Sequence, residues 1–297
     1  MTISAAAPAR EVLEQACVAV GLDPSGAEPV RLAENQIWRL PGQRVMVRIA
    51  RRGQTTAALR EVRVARWLAE NHMPAVRLAA VGQPVEAGGR PVTFWEELPP
   101  HEHGSHTEVA QLLKRLHALP DPDPDLELGY LDPFVRISER LQAATTLAGT
   151  DREWLRGLHQ ELVTAWAERP HGHPDCAVHG DAWPGNLIRT AGGPLMIDLE
   201  RFSLGPPEWD LVSTAVRART TGAITLAEYD EFCAAYGYDV TAWAGYPTLA
   251  GARELRMVTY AAQHAASNPE WAGQAQYRVD CLRGRRGPRP WNWKGIM

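Results

Sequence analysis

An α+β fold, with a small antiparallel-sheet region ahead of a larger helical one, is what this chain predicts. Three observations carry that expectation. Short strand-like runs with period-two alternation gather before Pro99. Beyond it, amphipathic segments with helical spacing dominate. The 297 residues, 45% hydrophobic and 22% charged, suffice for one large domain or two modest ones around a sizeable core. The change of texture sets the expected boundary at Pro99, giving an N-terminal part over 1–98 and a C-terminal part over 99–297. A ligand cleft between two such parts is the expected site.

The elements follow in order. REVLEQACVAVGL (10–22) has helical apolar spacing and stops at a glycine. RLAENQIWRLPGQRVMVRIARR reads as two strands joined by the Pro41-Gly42 turn. Thr55 to Glu70 reads as a helix with Leu59, Val62, Ala65 and Trp67 or Leu68 on its apolar side. AVRLAAVG (75–82) and PVTFWEEL (91–98) read as strands, the second ended by Pro99 and Pro100. EVAQLLKRLHAL (108–119) is an amphipathic helix, and 134–168 and 208–282 are mostly helical. A hairpin over 187–200 is the one strand-like interruption expected among them.

Bulk properties exclude several classes. A net charge of -4 suggests no nucleic-acid surface, and it favours a cationic substrate only weakly. Cys17, Cys176, Cys233 and Cys281 have no paired spacing, so free thiols in a reducing cytoplasm are expected rather than zinc or disulfides. MTISAAAPAR is not a secretory signal, and no apolar run is long enough to span a bilayer. A cytoplasmic protein without a membrane partner is expected. Lys114 and Lys294 are the only lysines, so arginine must do most of a lysine's work.

The chemistry concentrates in VHGDAWPGNLIRT (178–190). This loop could be a metal cage, a nucleophile site, a phosphoryl-transfer loop or a polar turn. Asp181 and Asn186 stand as D-x-x-x-x-N, the spacing of a protein-kinase catalytic loop. There a carboxylate receives the proton of the attacking hydroxyl, and an amide oxygen ligates a metal without adding charge. In the following LMIDLE (195–200), alternation would put Asp198 and Glu200 on one strand face, roughly 7 Å apart and able to reach one cation.

HGD, the following proline and asparagine, IDLE and GPPEWDL together resemble the aminoglycoside phosphotransferase group of small-molecule kinases, whose core is shared with choline kinases and is similar to that of protein kinases. The matching motifs run from about Asn35 to Asp210, four blocks in the right order. The resemblance implies a bilobal protein-kinase-like fold and transfer of the γ-phosphate of ATP or GTP to a small-molecule hydroxyl. Mg²⁺ would sit on Asn186 and Asp198, with Glu200 as a further ligand. It makes Asp181 the catalytic base, His179 a structural support of the loop, and Asp210 a buttress through backbone hydrogen bonds. VMVRIA (45–50) resembles the strand bearing the phosphate-binding lysine, here Arg48, with Glu61 on the next helix as its partner. Arginine keeps the charge and grips phosphate bidentately, but it is bulkier. LAENQIW (32–38), with Asn35, would cover the phosphates; the backbone of Glu96 and Leu98 would bind a purine, and Trp95 would border it.

An antibiotic with a free hydroxyl is the expected acceptor, and resistance or self-protection the expected biology. Choline, a sugar or an amino alcohol is the second enzyme reading. A nucleotide-binding pseudokinase is the rival that Arg48 motivates, and a phosphoesterase using HGD lacks a second metal-binding histidine motif. HEHGSH (101–106) has three histidines with no thiol beside them and reads as a solvated loop rather than a metal site. The tail GRRGPRPWNW reads as a solvated extension with Trp291 or Trp293 packed on the surface. Glu228, Asp230 and Glu231 offer charge to a cationic aminoglycoside, although helix-surface charge is ordinarily solvated.

Overall fold

The computed structural model describes residues 3–32 and 35–295. In chain order these form α1 (Ile3–Val20), β1 (Glu28–Leu32), β2 (Gln36–Leu40), β3 (Val45–Ile49), α2 (Thr55–Glu70), β4 (Val85–Ala87), β5 (Arg90–Glu96) and β6 (His101–His103). Then come α3 (His106–His117), α4 (Ile137–Ala143), α5 (Gly149–Ala167), β7 (Cys176–Val178), β8 (Leu187–Thr190), β9 (Gly193–Met196) and β10 (Ser203–Gly205). The chain closes with α6 (Glu208–Arg219), α7 (Leu226–Tyr236), α8 (Tyr246–Ser267) and α9 (Ala272–Leu282). Two compact units emerge. The first comprises Met1–Gly104, Ala118–Gly129 and Pro184–Phe202; the second comprises Ser105–His117, Tyr130–Trp183 and Ser203–Met297.

The first unit is built on an antiparallel sheet ordered β1-β2-β3-β5-β4. Alternation divides its faces. Val45, Val47 and Ile49 of β3 and Val92 and Phe94 of β5 are buried in one core with Trp38, Leu40 and the α1 residues Leu13, Ala16 and Cys17. The intervening residues turn the other way. There Arg48 pairs in register with Thr93, and Met46 with Trp95. On α2 the buried set is Ala58, Glu61, Val62, Val64, Ala65, Trp67 and Leu68. Leu59, expected on that face, is 38% exposed instead.

Three strand expectations change in this unit. Residues 75–82 form no strand, because their hydrogen bonds are shared between two partners: Val76 donates to Met196, and Ala79 to Phe94. The hairpin partner of β5 is the shorter β4. LMIDLE is not a continuous strand either. β9 stops at Met196, Asp198 takes a left-handed conformation (φ 60°), and Leu199–Arg201 closes a 3-10 turn. A left-handed residue ends the pleat, and aspartate tolerates that region better than most side chains. HEHGSH is likewise not all loop, since His101–His103 forms β6, which extends the β8–β9 hairpin to a third strand.

The second unit is mainly helical, but it too contains a strand pair that sequence reading missed, β7 with β10. α6 is buried almost throughout: Trp209, Asp210, Leu211, Val212 and Ala215 are at most 1% exposed. α8, 22 residues long, packs against α4, α5, α6 and α9. The tail is not a solvated extension. Trp291 and Trp293 stack on each other, 5.5 Å between ring centres, inside the core formed with α8 and α9. The Trp291 amide donates to the Thr220 carbonyl at 2.7 Å, and Arg289 pairs with Glu254. Burying two indoles outweighs the solvation that four nearby arginines suggested. Among the described residues no helix is long and apolar enough to cross a membrane.

Candidate active site

The polar face of the first unit's sheet opens on a cavity of about 540 Å³. Asn35, Arg48, Glu61, Trp95, Glu96, Leu98, Asn186, Asp198 and Glu200 all line it. Its charged centre is Arg48. Nη1 donates to both oxygens of Glu61, at 2.7 and 2.8 Å, and Nη2 donates to Glu200 at 2.9 Å. α2 carries Glu61 to this point and also ties down the turn after Asp198, because Arg60 donates to the Glu200 carbonyl.

Here carboxylates outnumber guanidiniums. Burial works against the charge on Arg48, but Glu61, Glu200 and Asp198 outweigh it and hold its pKa above the ordinary value. Burial pushes the Glu61 carboxyl up to about 7; Arg48 pulls it down, while Asp198 and Glu200 push it further up. Arg48 thus does not neutralise the group by itself.

Asn186 ends the 3-10 turn Pro184–Asn186, and its carbonyl accepts from the Ile197 amide at 3.0 Å. That bond sets the backbone of Asn186 next to the approach to Asp198. One amide and one carboxylate on a cavity rim are hard oxygen donors that suit a small divalent cation bridging to phosphate. No cluster of three or more His, Cys, Asp or Glu side chains poised for a metal occurs among the described residues. At the edge of β5, the amides of Glu96 and Glu97 are committed to the carbonyls of Arg77 and Arg44. Trp95 is nearly buried and its indole N–H donates to Thr93. Asn35 is half-buried just ahead of β2; Ala33 and Glu34 of the same loop lie outside the described residues.

Asp181, His179 and Asp210 belong to the second unit. β7 delivers the chain to His179, which is buried, and to Gly180, whose φ of 80° favours glycine. Asp210 on α6, wholly buried, accepts the His179 amide at 2.8 Å and the Gly180 amide at 2.9 Å. Burial opposes its charge, yet the His117 hydrogen bond and the positive field of His117, His179 and Arg253 outweigh that and hold its carboxyl below the usual range. The Asp181 amide donates to Nδ1 of His179 at 3.4 Å, and the Asp181 side chain stays 43% exposed.

Two further residues of this frame escaped sequence reading. His117, at the end of α3, lies between the Tyr236 hydroxyl (2.9 Å) and Asp210 (3.2 Å). Arg253 of α8 lies 4.0 Å from the centre of the Trp209 ring, donates to the carbonyls of Gly180 and Trp209, and stands 3.6 Å from Asp181. Neither sits in a motif; only the folded contacts reveal them.

A family profile, that of the phosphotransferase enzyme family, matches residues 27–271. The chain belongs to that family. This phosphotransferase also shares its fold with solved kinases. It resembles the amicoumacin kinase hAmiN, solved with AMP-PNP and Ca²⁺, at a TM-score of 0.68 and 16% identity over 93% of this chain and 96% of that one. It resembles the choline kinase LicA from Streptococcus pneumoniae at 0.64 and 16% over 93% and 99%, respectively. A spectinomycin phosphotransferase bound to ADP and spectinomycin aligns at 0.62 and 11% over 95% and 96%. No curated protein matches the chain. The phosphotransferase is therefore a small-molecule kinase by family, with the mixed α and β architecture of those relatives.

Proposed function

We propose that the chain transfers the γ-phosphoryl group of ATP or GTP to a hydroxyl of a small molecule, that an antibiotic is the acceptor, and that resistance or self-protection in the cytoplasm is the result. The observation that carries the phosphoryl-transfer reading is the cavity in which Arg48, fixed by Glu61, faces the same space as Asn186 and Asp198. The acceptor class draws support from the amicoumacin kinase and the spectinomycin phosphotransferase among the similar structures.

In this reading Arg48 binds the phosphates through its fork, and its two carboxylate partners prevent it from swinging away. Asn186 and Asp198 would hold Mg²⁺, which supplies charge neutralisation at the phosphates when bound. Asp181 orients the acceptor hydroxyl and takes its proton, and His179, Asp210 and Arg253 hold the loop that presents it. Most of the rate enhancement comes from positioning and electrostatics, as expected for a loose phosphoryl transition state.

The test is phosphate transfer across hydroxylated antibiotics, read by mass spectrometry as the gain of one phosphoryl group. Asp181→Ala should abolish transfer while AMP-PNP still raises the melting temperature; turnover that survives this change removes Asp181 as base. Thermal stabilisation by nucleotide with no transfer to any acceptor would instead establish a pseudokinase.

A further inference from the structure

The second unit holds a cation without a counterion beside the Asp181 loop. Arg217 on α6 is partly buried, yet among the described residues its side chain makes no ion pair and no hydrogen bond, and its Nε is shut off from water. Its one contact is with Trp183, whose ring centre lies 5.5 Å from the guanidinium. An aromatic face attracts a guanidinium but brings no net negative charge, and it accepts none of its N–H bonds edge-on. Other guanidiniums largely withdrawn from water are paired here, Arg48 with Glu61 and Arg283 with Asp151. Around Arg217 nothing does this, and burial lowers its pKa.

Arg217 faces the same way as the frame of the loop. Asp210 and Arg217 are seven residues apart on α6, about 20° from a common face and roughly 10 Å apart along the axis. Asp210 holds the His179 and Gly180 amides, and Trp183 follows Asp181 by two residues. α3 repeats the alignment. Its last residue, His117, meets Asp210; its first, His106, about 20° from the same face, lies in the field of Arg217. His106 also has a buried Nε2 without a partner. Burial, then the Arg217 charge, holds its pKa below the usual value against the field of Glu228, so at neutral pH it offers a polar edge and no charge. Glu228 is engaged in the Thr225 cap. All these groups belong to the second unit.

We infer, resting on the kinase reading above, that Arg217 and Trp183 form a specificity subsite for the acceptor, and that the acceptor is a hydroxyl compound carrying a carboxylate or phosphate. Either anion takes two parallel N–H bonds from a guanidinium and supplies the missing charge. A ring between anion and hydroxyl packs on Trp183, which is 39% exposed. The spacing of roughly 10 Å along α6 suits a molecule the size of a sugar acid or sugar phosphate.

The experiment is a transfer assay of the full chain with Mg²⁺ and ATP or GTP on hydroxylated carboxylates and phosphates headed by glucuronate and glucose 1-phosphate, each matched to uncharged and amino analogues such as glucose and glucosamine. Calorimetry measures binding of the same compounds. The best acceptor should be anionic, and the two anionic arms show which group it carries. Arg217→Gln should raise the KM for that acceptor about ten- to hundredfold, the worth of a charge-assisted bidentate contact, while kcat and the KM for nucleotide stay nearly constant. Arg217→Lys should recover part of the loss. An uncharged or amino compound as best acceptor overturns the inference and leaves the kinase reading intact. So does a loss confined to kcat, which would place Arg217 at the transferring phosphoryl group, or a lower melting temperature with unchanged KM, which would make it structural. Neither binding nor transfer of any anionic compound overturns it as well. Anion binding that Arg217→Gln abolishes, with transfer to no compound, supports the subsite and defeats the kinase reading instead.

Discussion

Replacing Asp210 by asparagine tests the frame of the Asp181 loop. The wild-type carboxylate is wholly buried and receives three polar contacts: the amides of His179 and Gly180 at 2.8 and 2.9 Å, and His117 Nε2 at 3.2 Å. Each amide is received by a different oxygen. Asparagine has one oxygen and one NH₂, so one backbone N–H must face another donor. A buried donor left without its acceptor costs about 1–3 kcal/mol. The surviving bonds also lose their charge assistance, which is worth roughly 1 kcal/mol more. Asp210→Asn should therefore destabilise the chain by about 3 kcal/mol, against a total of roughly 5–15 kcal/mol for an ordinary domain, so it still folds. Urea unfolding at pH 7 measures the loss as a shift of midpoint at unchanged slope. Turnover should fall by about two orders of magnitude, because a misplacement near 1 Å of Asp181, the proposed general base, is that costly. A destabilisation under about 1 kcal/mol with unchanged turnover would refute the buttress.

Other perturbations probe the first unit and the tail. Arg48→Lys leaves one ammonium where a fork now spans Glu61 and Glu200, so turnover should fall at least tenfold with a smaller effect on nucleotide affinity; equal activity would mean that the fork is dispensable. Glu61 is held at about 7 against an ordinary 4.5, so the native state binds more protons than the unfolded chain between those values. Its contribution is complete below pH 4.5 and disappears as pH rises through 7; Glu61→Gln should flatten the decline in melting temperature between pH 5 and 8, and parallel wild-type and variant curves would contradict the assignment. Trp293→Ala empties part of the core shared with α8 and α9 and should cost about 3–5 kcal/mol by urea unfolding, whereas a solvated tail would lose almost nothing.

What was legible in the sequence follows the range of the forces involved. Alternation along Val45–Ile49 is a local signal, and it separated the core face from the face carrying Arg48. Helix bounds such as Thr55–Glu70 are local too. Nine of the residues singled out by motif surround one cavity, because strand order and spacing fix where they emerge. The failures are tertiary. Asp198 sits within an alternating run that reads as strand, and only the contacts of the following turn select its left-handed conformation. Trp291 and Trp293 stand among arginines, and it takes the folded helical core to bury them. Arg253 and His117 reach their partners across 73 and 93 residues, from helices with no distinguishing pattern.

The substitution at Arg48 shows how such a tertiary partner changes the meaning of a local residue. Read alone, arginine in a lysine's place suggests a damaged phosphate site. The fold supplies Glu200, 152 residues away, as a second carboxylate on the same guanidinium. A lysine ammonium is a compact point charge, whereas the planar fork can hold two carboxylates in fixed directions. Arg48 and Glu200 are therefore one unit: the bulkier cation is acceptable because the turn after Asp198 brings a carboxylate to its second arm. The same turn carries Asp198, so the geometry of the proposed metal ligand and the restraint on Arg48, the proposed phosphate-binding cation, are coupled through two residues of backbone. Loss of Glu200 should consequently disturb both, even though its side chain is 42% exposed and contributes little to stability by itself.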